Sequence, residues 1–82
     1  MYTYYPKGVC AREIHFELDN NKIAKVNFIG GCNGNLQGIS KLLEGLTVED
    51  AINKLEGIRC GNKRTSCPDQ LACALKELRK GN

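Results

Sequence analysis

Five cysteines stand in a chain of 82 residues. Cys10, Cys32, Cys60 and Cys67 fall at the edges of sequence patterns or between them, where side chains from separate segments can converge. Thiolates are soft ligands for zinc or an iron-sulfur centre, and they are also the attacking species in disulfide exchange. Met1 to Pro6 lacks the basic start and apolar stretch of a secretory signal. The expected compartment is therefore the cytoplasm, where structural disulfides are disfavoured and a high cysteine content points to metal binding or reactive thiols. The Cys60-x6-Cys67 pair is wider than a zinc knuckle and lacks the Cys-x-x-Cys spacing of the common oxidoreductases. Position strengthens the metal reading: Cys32 precedes one expected helix and Cys67 opens another, where the positive helix end favours thiolate over thiol. Cys10 taken alone reads as a small buried hydrophobe. The four together read as a metal or redox site, with Cys10, Cys32, Cys60 and Cys67 as ligands.

Thiolates gathered on a divalent metal carry surplus negative charge, which needs cations or N–H donors nearby. Arg59, Lys63 and Arg64 crowd the segment between Cys60 and Cys67 and can supply it, as can Arg12. The same cations beside Ser66-Cys67-Pro68 make a second candidate, an anion or nucleotide site of Arg59, Lys63, Arg64 and Ser66 at a helix start. The net charge of +3 does not by itself argue for nucleic acid. Gly30 to Gly34 matches neither the phosphate-binding loop nor the dinucleotide fingerprint, and bending of the backbone accounts for it better.

The elements that must position these residues follow from periodicity. Ile14, Phe16 and Leu18 alternate with Glu13, His15 and Glu17, the pattern of a half-buried strand that also puts Cys10 on the apolar face. His15, on the polar face, reads as a surface residue. Asp19 to Lys22 is turn chemistry, and Ala24, Val26 and Phe28 alternate with Lys25 and Asn27 in a second strand. Tyr2 to Tyr5, ended by Pro6, is a candidate third, edge strand, and its tyrosines are candidates for a homodimer contact by strand addition. After the glycine-rich turn, Asn35 is a candidate cap for a helix with Leu36, Ile39, Leu42, Leu43 and Leu46 at helical spacing and Gly45 as terminator. Thr47 caps a second helix with Val48, Ala51, Ile52 and Leu55 as its stripe, closed by Gly57. Ser66 or Cys67 caps a third, with Pro68 at its first position and Leu71, Ala74, Leu75 and Leu78 inward. Cys73 lies about 160° from Leu71 on that helix and stands apart from the other cysteines.

This order gives an α+β domain: a two- to three-stranded antiparallel sheet followed by three helices packed on one face, in a single domain over residues 1–82. With 41% hydrophobic and 26% charged residues the composition is that of a folded chain. No apolar run approaches the ~20 residues that span a bilayer.

At Thr65-Ser66-Cys67-Pro68-Asp69 the chain resembles the TSCPD family, found as small standalone proteins and as a C-terminal domain of some ribonucleotide reductases. The resemblance runs from Gly8-Val9-Cys10 and Glu13-Ile14 through Gly31-Cys32-Asn33-Gly34 to Thr65 through Ala72. It implies a metal-binding role for the cysteines and an association with deoxyribonucleotide synthesis, with a ribonucleotide reductase or another protein as partner. Catalysis by this chain alone is not expected, because ribonucleotide reduction needs a radical generator and a large barrel. A more distant similarity is to iron-sulfur scaffolds of the NifU/IscU type. Ala24 through Cys32, Gly45 through Ala51 and Cys67 through Ala72 look like their corresponding stretches, which implies that Cys10, Cys32 and Cys67 are ligands meeting at one end of the sheet. The scaffolds carry an Asp where this chain has Arg12 and a His where it has Ser66, so Cys60 becomes the candidate fourth ligand of a closed site.

Overall fold

A computed structural model describes residues 1–31 and 33–80, the side chains of residues 33 and 80 excepted. The elements in chain order are β1 (Tyr2–Tyr4), β2 (Ala11–Asp19), β3 (Lys22–Gly30), α1 (Asn33–Leu43), α2 (Val48–Leu55) and α3 (Cys67–Lys80). The strands form one antiparallel sheet in the order β1-β2-β3, so the α+β arrangement expected from the sequence is present, with β1 as the third strand.

The β2–β3 hairpin turns through Asn20 and Asn21, both at positive φ (51° and 64°), a conformation that asparagine tolerates better than most residues. The register then slips twice. Between Glu17 and Leu18 the extra residue is Ala24 on β3, and between Ala11 and Glu13 it is Arg12 on β2. Each slip reverses the faces beyond it, which corrects the strict alternation read from the sequence. Ile23 rather than Ala24 is buried beside Val26 and Phe28, and Ala11 rather than Cys10 continues the face of Ile14 and Phe16. Cys10 is exposed.

α1 begins at Asn33, so Asn35 lies inside its first turn and is not the cap. Its buried stripe is Leu36, Ser40 and Leu43, with Ile39 half-buried. Leu42, about 100° off that stripe, is 80% exposed. The buried Ser40 hydroxyl donates to the Leu36 carbonyl 2.8 Å away, which satisfies it without water. Gly45, at φ 90°, turns the chain out of α1, and its N–H donates to the Ile23 carbonyl while the Leu46 carbonyl accepts from Ile23 N–H. Thr47 caps α2 by accepting from Asp50 N–H, as its sequence signature predicts.

Ser66 is the cap of α3: its Oγ accepts from Asp69 N–H at 3.2 Å, which makes Cys67 the first helical residue and moves Pro68 to the second. Leu71, Ala72, Ala74 and Leu75 bury against Ile14, Phe16, Ile23, Ala51, Ile52 and their neighbours in one core. Arg79 and Glu49, 2.6 Å apart, join α3 to α2 on the surface, where such pairs add about 0–1 kcal/mol.

Candidate thiol site

The Arg12 bulge decides where the first candidate ligand points. With Ala11 turned into the core, Cys10 faces a pocket of about 200 Å³ that Cys60 and Cys67 also line. Leu36, Ile39 and Pro68 form much of its wall, and Lys63 is its cationic residue among the described ones. Three thiols from three separate segments thus share one apolar pocket. Cys10 and Cys60 are exposed and Cys67 is half-buried. Cys32 lies outside the described residues. Gly31, its neighbour in the chain, sits against the site: a β-carbon there would stand 3.4 Å from Cys10 Cβ and 3.0 Å from Leu36 Cδ1. Among the described residues, no group of three or more His, Cys, Asp and Glu side chains is gathered closely enough to hold a metal ion. The three thiols nevertheless suit a soft metal in donor type, and the Lys63 ammonium is placed to offset thiolate charge rather than to ligate.

The segment between α2 and α3 carries Cys60 and the basic residues. Arg59, Lys63 and Arg64 are all exposed, and of these Lys63 alone is among the residues around the pocket. Ser66 is buried, and its hydroxyl donates to the Ile58 carbonyl (2.7 Å) while accepting from Asp69. That engagement matters for the anion reading. Pro68 has no N–H and Asp69 N–H is held by Ser66, so two donors of the first turn of α3 are withdrawn from a bound anion.

Sequence reasoning missed the polar residues that build this region. Thr65 Oγ1 donates to Asp69 Oδ2 (2.5 Å) and accepts from Gln70 Nε2 (3.0 Å), and Asp69 Oδ1 accepts from Gly57 N–H (2.7 Å). Gln70 Oε1 accepts from Lys7 N–H at 3.1 Å, pinning the lead-in to Cys10 against the same helix start. The sequence carries a signal for one part of this, since Ser66-x-x-Asp69 is the serine-to-acid spacing of a capping box, but not for the turn of the Asp69 carboxylate to Gly57 and Thr65.

Cys73 lies away from the pocket near Tyr4. Its thiol is pushed above the ordinary cysteine value by burial first, then by the carboxylates of Asp69 and Glu77. Tyr4 is raised as well, by burial and then by Glu77 and Cys73. Only thiolate reacts with iodoacetamide, so Cys73 is expected to be labelled more slowly at pH 8 than a free cysteine in solution, with its rate still climbing at pH values where that of the free thiol levels off. Peptide mass spectrometry across pH 7–10 checks this. Because the Cys73 value is raised on folding, its contribution to stability is fully present below the unfolded value and is lost as pH rises from the unfolded toward the folded value.

A three-stranded antiparallel sheet with helices on one face, and cysteines converging where β2 begins and α3 starts, defines a small α+β cysteine domain. The family model for the TSCPD domain matches residues 2–79, and the chain belongs to that family. No curated protein and no solved structure matches it.

Proposed function

We propose that this TSCPD domain is a metal-binding module that holds zinc, or an iron-sulfur cluster, through Cys10, Cys32, Cys60 and Cys67, and that it is not catalytic by itself. The observation that carries the reading is the shared pocket of Cys10, Cys60 and Cys67, three thiols brought together from the lead-in of β2, the α2–α3 segment and the start of α3. Cys32 is proposed as the fourth ligand from the sequence, where it follows Gly31, the glycine that stands beside Cys10. Cys67 as the first residue of α3 gains from the positive helix end, and Lys63 offsets part of the charge of several thiolates. A bound metal would supply a rigid junction; the residues supply the soft donors, an apolar wall and one cation against the surplus negative charge. Cys60 stands on a segment without a buried apolar anchor and can be drawn toward the other thiols on binding.

Metal content and the absorption spectrum of untagged protein purified anaerobically, measured beside Cys67→Ser, test the proposal. One equivalent of zinc in the wild type, lost in the variant, is the expected result. A visible charge-transfer band lost in the variant identifies an iron-sulfur centre instead. Stoichiometry near zero with all the thiols reduced overturns the reading.

A further inference from the structure

The geometry points to Asp69 as a positioning residue for the thiol site, a carboxylate clasp that ties both ends of the segment carrying Cys60 to the helix that carries Cys67. The inference rests on reading the pocket as a metal site and adds the residue that holds Cys60 in the wall of that pocket.

Apart from the Ser66 hydroxyl on the Ile58 carbonyl near its beginning, the segment from Gly57 to Thr65 has little else to hold it. Its side chains are exposed except for Thr65, and Ile58, its large apolar residue, is 42% exposed. Position must then come from hydrogen bonds. One oxygen of Asp69 takes the Gly57 N–H where α2 ends, and the other takes the Thr65 hydroxyl just before α3. Thr65 passes the constraint to Cys60, because its carbonyl accepts from Cys60 N–H at 3.2 Å. Lys63 N–H in turn donates to the Cys60 carbonyl at 3.0 Å, closing a tight turn around the cysteine. Gln70 donates to the Thr65 hydroxyl and so directs its proton toward Asp69.

Both groups on the carboxylate are donors in the structure, an arrangement that its two acceptor oxygens match. An asparagine offers one acceptor oxygen and so satisfies one of the two donors. Cys67 is held separately, through the Ser66 cap. Loss of the clasp therefore loosens Cys60 relative to Cys67 and lowers the effective concentration of one ligand at the others.

Zinc affinity, measured by competition with a chromophoric chelator, is compared for the wild type, Asp69→Ala, Asp69→Asn, Cys60→Ser and the Asp69→Ala/Cys60→Ser double variant. Asp69→Ala is expected to weaken binding about 10–100-fold, the range for residues that orient metal ligands, with Asp69→Asn between it and the wild type. The double variant is expected to bind like Cys60→Ser alone, because a clasp acting through Cys60 has nothing left to position. Thr65→Val, close in shape, is the second variant should Asp69→Ala fail to fold, and the same loss is expected. Unchanged affinity in either variant, or losses that add fully with Cys60→Ser, overturns the inference. Amide hydrogen exchange separates the two readings. Faster exchange at Gly57 and Cys60 in Asp69→Ala, with Ile14 and Leu71 unchanged, is expected whether or not metal is present. A wild type that takes no zinc defeats the metal reading, and unchanged exchange at Cys60 defeats the clasp.

Discussion

Leu71→Ala is expected to lower stability by about 3–4 kcal/mol, a large share of the roughly 4–12 kcal/mol typical for a chain of this length. Leu71 has no exposed surface and sits on α3 in the same core as Ile14, Ile23 and Leu75, which are also closed to solvent. Truncation removes buried methyl groups and leaves a cavity. The neighbours come from β2, β3, α2 and α3, so no single element can shift to fill it without disturbing another. Urea denaturation checks the expectation: the midpoint should fall with the slope unchanged. A loss below about 1 kcal/mol would mean that this packing is looser than its burial indicates.

The second large effect is expected at Gly31. Its φ of 81° lies in the left-handed region, and an added β-carbon would meet Leu36 Cδ1 at 3.0 Å and the Ala11 backbone nitrogen at 3.3 Å. Strain and crowding act together, so Gly31→Ala should cost about 2–3 kcal/mol. Gly38→Ala is the matched control. Gly38 lies in the interior of α1 with open space around its β position, and alanine there should add about 0.5–1 kcal/mol through helix propensity. Opposite signs from the same chemical change, read by thermal and urea unfolding, confirm that Gly31 is fixed by its surroundings. Two substitutions that destabilise equally would refute that.

The elements were legible in the sequence where one physical rule governed them. The inward residues of α2 and its Thr47 cap followed from 3.6-residue spacing and cap chemistry, and both are present. The α+β order followed from the change of period after Gly30. What escaped was the placement of single residues by irregular backbone. Strict alternation puts Ala24 and Cys10 on the wrong faces because one extra residue in a strand reverses it, and composition gives no sign of where a bulge falls. Helical spacing groups Leu42 with the inward leucines, whereas Ser40 holds the buried position by hydrogen bonding to its own helix. At the candidate site, the cysteines and cations were visible as residue types. The partners of Thr65 and Asp69 were not, because a hydrogen bond between Asp69 and Gly57 depends on how two helices meet.

The thiol pocket joins the beginning of the chain to its end: Cys10 leads into β2, and Cys67 opens the last helix. Any occupant bonded to both would close most of the polypeptide into a single ring. A ring of that size removes conformational freedom from the denatured chain worth roughly 4 kcal/mol, without altering one contact in the core. In a domain this small such a cross-link would do the work that a long-range disulfide does in secreted proteins, and it would be made of bonds that persist under reducing conditions.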